Sequence, residues 1–303
     1  MLLGRMGGET AMWRAAMEMY YRDQVAESFD MVRRQGVGDT GTRLWLYRFI
    51  EAEAITRHRS EVHSINDWLS LEWIPRETPL SLEELTNAVL MACDDVAETL
   101  GWQHGAPTRV TILTEEAHAP WAVAPFGYCQ DMYPYEKICV PHYSLRDPAE
   151  FHRVVAHEYT HVITLNLSEG KAPRWLHEAL SVLVERPPDW RLSRVLQSEP
   201  NHWLSPIELE SRLTLAYDPG DQFGRMLAYE QAGWIGRYLG SLGRPQLLGD
   251  LLRNHVSGSF WRLLAYQLAG RSATDASLKS TYDIGGARDL FRRAKAFLDG
   301  ASL

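Results

Sequence analysis

The chain has little cysteine, no long apolar run and no excess of positive charge, and each shortage excludes a class of protein. Three cysteines in 303 residues, without zinc-finger spacing, do not make a disulfide framework; they are Cys93, Cys129 and Cys139. No run reaches the roughly 18 apolar residues of a membrane span, and the N-terminal residues lack a signal-peptide core. A net charge of −8 argues against a nucleic-acid surface. We therefore expect a cytoplasmic protein with neither a membrane nor a nucleic-acid partner.

The remaining composition is that of a globular protein, with 45% apolar and 23% charged residues. A length of 303 residues allows one large or two ordinary domains. We find no repeat of fixed period, which argues against a solenoid. None of these features indicates an oligomeric state.

The most informative stretch is the H-E-x-x-H sequence from His157 to His161. On a helix, residues four apart lie one turn apart on the same face, where two neutral imidazoles can bind one zinc ion. Glu158 lies too far round the helix to be an equal third ligand. It can still reach a water molecule at the metal, which is the position of a general base. A pattern this short also arises by chance, so the flanking sequence decides its meaning.

The flanking sequence predicts that the motif lies on a buried helix over about residues 148–167. Asp147, Pro148 and Glu150 have the order of an N-cap, a first-turn proline and a capping-box glutamate. Gly170 follows as a stop signal. Apolar residues occur on nearly every side of this helix. A buried helix with two histidines and a glutamate needs a partner for those groups, and a metal ion would supply one.

A second helix is predicted over residues 173–185, opened near Pro173 and stopped before Pro187. Glu178 falls in its apolar middle, a short loop and half a helix downstream of His161. A carboxylate among apolar residues is costly unless it binds a cation or forms a pair. Glu178 is therefore a candidate third metal ligand.

The two helices together resemble the gluzincin metallopeptidases, the clan that holds thermolysin and the leukotriene-hydrolase-type aminopeptidases. The resemblance is carried by H-E-x-x-H followed by W-L-x-E-(G/A)-(L/F)-(A/S), which here runs from Trp175 to Ser181. In that clan the glutamate of the second helix is the third zinc ligand. The resemblance thus implies that His157, His161 and Glu178 bind Zn²⁺.

The chain departs from the gluzincin pattern at two positions beside the glutamate. Asparagine is common in the clan at the place of His177, and glycine is usual at the place of Ala179. Neither change removes a ligand, although His177 could compete for the metal or support a ligand. The G-x-M-E-N signature of the clan's aminopeptidases, which grips a substrate's amino terminus, is absent. Its absence favours an endopeptidase over an aminopeptidase.

The expected fold class is α+β, mostly α. Strands are predicted over residues 109–114 and 137–140, with a loop and edge-strand region over 120–134. Gluzincins place a small sheet before the motif helix, and its edge strand hydrogen-bonds an extended peptide. The resemblance implies a zincin-like catalytic domain over 78–303, with a small N-terminal sheet and a helical C-terminal lobe. Residues 1–77 are expected to be a separate helical segment, with helices over 10–34 and 43–70.

The C-terminal part contains a candidate oxyanion group, Tyr229. It shares a helix face with Gly233, Gly236 and Gly240, which would let another helix approach closely. The segment is similar to one in aminopeptidase-like gluzincins whose tyrosine stabilises the oxyanion. The alternative is a tyrosine that is only packed in the core. Around this segment we expect a loop-rich stretch over 187–206, a short helix opened by Ser205, and closing helices over 245–255, 260–269 and 287–298.

The function that these features favour is zinc-dependent hydrolysis of peptide bonds in a peptide or protein substrate, with Glu158 as the base and Tyr229 as the oxyanion donor. Two alternatives stay open. One is a catalytically silent module in which zinc only ties two helices together. The other is a helical interaction scaffold. The intact Glu158 favours the enzyme, because a structural site has no use for a buried base.

Overall fold

The computed structural model describes residues 11–35, 42–102, 107–114, 128–129, 136–214, 221–256 and 272–302. The fold class is α+β and mostly α, as predicted. The strands of the described residues are β1 (Glu61–Ser64), β2 (Leu69–Trp73), β3 (Thr108–Ile112), β4 (Tyr128–Cys129) and β5 (Glu136–Val140). Their α-helices are α1 (Ala11–Tyr21), α2 (Val25–Gln35), α3 (Thr42–Arg57), α4 (Leu82–Leu100), α5 (Pro148–Ser168), α6 (Arg174–Glu185), α7 (Trp190–Ser198), α8 (Pro206–Thr214), α9 (Gln222–Ser241), α10 (Gln246–Arg253), α11 (Ala273–Tyr282) and α12 (Ala287–Asp299).

The chain forms two compact units that interleave in sequence. The first comprises residues 1–86 and 107–151, and the second comprises 87–106 and 152–303. The predicted division at residues 77 and 78 stays a prediction. In the described part of the chain, no helix combines the length and apolarity needed to cross a bilayer.

The first unit contains one five-stranded sheet of order β1-β2-β3-β5-β4. Its central strands β2, β3 and β5 run parallel, and the two edge strands pair antiparallel to them. Helices α1, α2 and α3 of this unit share an apolar core around Trp13, Met17 and Ile50. Both predicted strands are confirmed as β3 and β5. Of the predicted region 120–134, only Tyr128 and Cys129 are described, and they form an edge strand.

Two helix predictions in the first unit are wrong. The helix expected over 43–70 ends at Arg57, and the rest forms the β1–β2 hairpin. The side chain of Asn66 turns the chain, because its Oδ1 accepts the backbone N–H groups of Trp68 and Leu69. The helix expected over 10–34 is two helices, broken where Asp23 adopts a φ of 66°. Local side-chain bonding and a left-handed residue outweigh helical periodicity at these points.

Helix α5, which belongs to the second unit from His152 onward, carries the H-E-x-x-H motif. Its predicted limits are confirmed to within a residue, since it runs from Pro148 to Ser168. The Asp147 carboxylate accepts the backbone N–H of Ala149 at 3.0 Å. At the other end of the helix, Gly170 has a φ of 65°, and its backbone N–H donates a hydrogen bond to the carbonyl oxygen of Leu165. These caps fix which residues of the motif share a face.

Helices α6 and α9 pack closely because glycines of α9 face α6 and leave room for its backbone and side chains. A side chain at Gly236 would overlap the carbonyl oxygen of Ala179, and one at Gly233 would contact Val182 at 2.6 Å. The close helix approach predicted for this glycine face is therefore confirmed. It places the helix that carries Glu178 directly against the helix that carries Tyr229.

The remaining predictions for the second unit are confirmed in part. The stretch expected to be loop-rich over 187–206 contains α7, so that prediction is wrong. Asp189 caps this helix by accepting the backbone N–H of Arg191 at 2.8 Å, and Leu192 and Leu196 enter the core. Helices α8, α10 and α12 match the predicted short helix and two of the closing helices. The closing helix expected over 260–269 lies outside the described residues.

Candidate metal centre

The two histidines of the motif lie side by side on α5, and both are largely buried. The side chain of His161 is 2% exposed and that of His157 is 14% exposed. Their ring centroids are 5.0 Å apart. Glu158, between them in sequence, is also buried. The prediction that the two imidazoles share one face of the helix is therefore confirmed.

Helix α6 brings the Glu178 carboxylate to these imidazoles. Its Oε2 lies 3.4 Å from His157 Nε2 and 3.7 Å from His161 Nε2. One ligand atom from each of the three side chains lies within 4.8 Å of the others. Since zinc bonds to nitrogen and oxygen are about 2.0–2.2 Å long, atoms this close can share one ion after small side-chain adjustments.

The surroundings of Glu178 favour a cation beside its carboxylate. The side chain is completely buried, and neither carboxylate oxygen has a hydrogen-bond partner among the residues that the structure describes. A buried carboxylate in that state is strongly disfavoured unless a positive charge satisfies it. The nearest charge is Arg174, whose Nη2 lies 2.9 Å from Oε1 as an ion pair without hydrogen-bond alignment. Oε2 is left facing the two imidazoles.

The charge state of the group suits metal binding. Burial raises the pKa of the Glu178 carboxyl, but the Arg174 guanidinium and the adjacent imidazoles outweigh burial, so the pKa lies well below its ordinary value. Burial also holds the pKa of His161 well below its ordinary value. At neutral pH the site therefore offers an anionic carboxylate and a neutral imidazole at His161. These are the forms that coordinate metals.

His157 is oriented by a residue that the sequence did not single out, Glu185 at the end of α6. Its Oε2 lies 2.6 Å from His157 Nδ1. A carboxylate of this kind accepts, so Nδ1 donates and carries the ring proton, which leaves the lone pair of Nε2 on the side of Glu178. Arg153 and Arg186 both form ion pairs with Glu185. The signal was present in the sequence, because Glu185 follows Glu178 by seven residues, or two helical turns.

We expect Glu185→Ala to weaken zinc binding by about 10- to 100-fold, the usual effect of removing a carboxylate that orients a metal-bound histidine. Glu185→Gln should lose less, since its amide oxygen still accepts from Nδ1. Competition with a fluorescent zinc chelator measures both affinities. Equal affinities for wild type and the alanine variant would show that Glu185 does not orient the ligand.

His177 and Tyr229 lie next to this group without belonging to it. The His177 ring stacks on that of His161 at 5.8 Å and is buried, but the three-residue ligand group does not include it. Tyr229 lies on α9, close enough to Glu178 for the two groups to interact electrostatically. Burial, followed by the Glu178 carboxylate, raises the pKa of its phenol, with Arg225 partly opposing the shift. The phenol therefore keeps its proton at neutral pH and can donate.

Taken together, two imidazole nitrogens and one unsatisfied carboxylate oxygen fit a divalent metal ion, with Glu158 beside them. The donor set suits zinc but is not specific to it. Sequence reasoning identified His157, His161 and Glu178, which the structure brings together. It missed Glu185, whose contact with His157 depends on how α5 and α6 pack, and it missed Arg174, which lies one turn before Glu178 on the same helix.

No protein-family model matches the chain, and neither does any curated protein or solved structure. The resemblance to gluzincins therefore rests on the motif of α5 and the glutamate helix α6.

Proposed function

We propose that this chain is a zinc-dependent peptidase of the gluzincin type, with a zincin-like fold, that cleaves internal bonds of peptide or protein substrates. The observation that carries the proposal is the buried Glu178 carboxylate, which faces two imidazoles and accepts no hydrogen bond from the described part of the chain. The general base position next to His157 is filled by Glu158. A site that only tied two helices together would not need that carboxylate.

Each residue has a defined task in this proposal. His157, His161 and Glu178 hold zinc, which when bound supplies a Lewis acid that acidifies water and stabilises negative charge. Glu158 accepts a proton from the attacking water at its carboxylate, as the water oxygen forms a bond to the peptide carbonyl carbon. It then passes this proton to the leaving amine as the C–N bond breaks. Glu185 keeps the proton of His157 on Nδ1.

Tyr229 is the proposed donor to the carbonyl oxygen as it becomes negative. Its phenol oxygen accepts from Arg225 Nη2 at 3.5 Å, and the phenolic O–H is itself a donor. The raised pKa of the phenol keeps that proton in place. A hydrogen bond that strengthens only as negative charge develops on the carbonyl oxygen raises the turnover rate rather than the affinity for substrate.

Tyr229→Phe is expected to lower kcat by about 10²- to 10³-fold, roughly 2.7–4 kcal/mol, with little change in KM or melting temperature. Steady-state kinetics on one peptide measures the loss. Tyr238→Phe is the matched control, because Tyr238 lies on the same helix and packs against Phe297. If both phenylalanine variants turn over like wild type, Tyr229 belongs with the packed tyrosines.

The direct test of the proposal is mass-spectrometric profiling of a peptide library incubated with the zinc-loaded chain. We expect cleavage at internal bonds, its loss on chelation and its return with added zinc. A chain that binds zinc tightly and cleaves nothing would be the catalytically silent module. A chain that unfolds on chelation would hold zinc for structure.

A further inference from the structure

Charged side chains gather where helix α3 meets one face of the sheet in the first unit. Arg109 of β3 and Lys137 of β5 are paired in register, so both side chains lie on the same face. Glu72 of β2 shares this face, and its carboxylate lies 3.6 Å from Nε of Arg57 on α3. Buried ion clusters add little net stability, because desolvation offsets the attraction between the charges. The cluster is therefore a candidate binding site rather than a packing feature.

The three cations of this cluster meet on one carboxylate, that of Asp23 in the turn between α1 and α2. Its Oδ1 lies 2.7 Å from Nη2 of Arg57 and 3.3 Å from Nζ of Lys137. Its Oδ2 lies 3.5 Å from Nη1 of Arg109. Of these three contacts, only that of Arg57 has the length of a good charge-assisted hydrogen bond, about 2.7–2.9 Å. The Asp23 carboxylate thus satisfies one cation well and two poorly.

The place where the cations meet is open to solvent on the side of Asp23. The side chain of Asp23 is 52% exposed, whereas that of Lys137 is 6% exposed. Rotation of the exposed aspartate side chain would therefore open this place to another anion, without movement of α1 or α2.

Two buried carboxylates hold the cations from the inner side. Glu53 is completely buried, accepts a hydrogen bond from Lys137 and pairs with Arg57 at 2.9 Å. Glu72 is also buried and lies within 4.0 Å of both arginines. The cations therefore remain fixed when Asp23 turns away, and three positive charges then face two negative ones.

We propose that Arg57, Arg109 and Lys137 form a binding site for a phosphate group, at the place that the Asp23 carboxylate fills in this structure. A phosphate presents three oxygens, one for each cation, and carries about 1.5 to 2 negative charges at pH 7. The aspartate offers two oxygens and one charge. Guanidinium and ammonium groups both bind phosphate, the guanidinium by two parallel hydrogen bonds. This site does not depend on the proposed peptidase function.

The test is isothermal titration of the full chain with inorganic phosphate and with O-phosphoserine at low salt. Wild type should bind both weakly, because the ligand has to displace Asp23. Asp23→Asn should bind about tenfold more tightly, as expected when a group that fills the site roughly nine times in ten is removed. Added sodium chloride should weaken binding to both chains.

Arg109→Gln should lower the phosphate affinity about tenfold, the loss of one charge-assisted hydrogen bond, and Arg109→Lys should retain part of the affinity. The lysine variant keeps the charge, so it serves if the glutamine variant folds poorly. Asp283→Asn is the matched control for Asp23→Asn. Asp283 is also left-handed, with a φ of 56°, and pairs with Lys279, and its loss should leave phosphate binding as in wild type.

The two ligands distinguish the source of the phosphate. Equal affinities would show that the site recognises the group alone, and tighter binding of phosphoserine would assign it to a phosphate ester; both results support the site. Absence of phosphate binding by wild type would overturn the proposal, even if Asp23→Asn binds, because Asp23 would then only join the turn to the sheet. Binding that both Arg109 variants leave unchanged would overturn it as well.

Discussion

Glu178→Gln is expected to reduce the zinc affinity of the chain by more than the 10- to 100-fold typical of an outer-shell change. The amide is neutral, so the site loses its only anionic candidate ligand among the three grouped residues. Competitive chelator titration and elemental analysis measure the affinity and the zinc content. Wild type should carry about one zinc per chain as purified, and the variant much less.

The same variant makes a second, independent prediction about stability. In the folded chain Arg174 and the adjacent imidazoles outweigh the cost of burial and hold the pKa of Glu178 below its ordinary value, so the charged carboxylate stabilises the metal-free fold at neutral pH. Glu178→Gln removes the buried partner of the Arg174 ion pair, and the metal-free variant should therefore melt lower than the metal-free wild type. Zinc at 100 times its Kd should stabilise wild type by about 2.7 kcal/mol, and the variant much less.

Glu230→Gln is the matched control for this substitution. Glu230 is as buried as Glu178, but it accepts a hydrogen bond from Ser193, pairs with Arg186 and Arg237, and does not belong to the three-residue ligand group. Its loss should lower the melting temperature and leave zinc affinity intact. Equal zinc affinity in Glu178→Gln and wild type would remove Glu178 from the metal site, and a folded wild type without zinc would remove the site itself.

The parts of this site that sequence predicted are those set by local geometry. His157 and His161 must share a face once Asp147 and Gly170 fix the helix, because helical spacing is independent of tertiary structure. Glu178 could be proposed because a carboxylate in an apolar helix needs a cation. In both cases a short segment of sequence is enough to predict the candidate ligand.

What sequence missed depends on how separate segments meet. Glu185 ends a helix, and its contact with His157 arises only when α5 and α6 pack. Single side chains also overrode periodicity, as at Asn66, where a turn replaced the expected helix with a hairpin. Side-chain bonds to the backbone of this kind leave no periodic signal.

Glu158→Gln is expected to lower turnover by about 10²- to 10⁴-fold, the range attributed to a general acid–base group. Glu158 is 4% exposed, so its carboxylate is largely shielded from bulk water. An amide of the same shape cannot accept the proton of the attacking water, and therefore cannot return it to the leaving amine. Zinc content, melting temperature and peptide affinity should all stay near wild type, because Glu158 is not among the grouped ligands.

Glu169→Gln, just beyond the end of α5 with its side chain 48% exposed, makes the same chemical change on the surface and should cleave peptides like wild type. This control separates the loss of a base from the loss of one negative charge. The decisive comparison is turnover at equal zinc occupancy, since a variant that had lost its metal would also be slow. If zinc-loaded Glu158→Gln cleaves peptides as fast as wild type, the proton is taken by another group. The buried carboxylate between the two histidines would then have to be explained by packing alone.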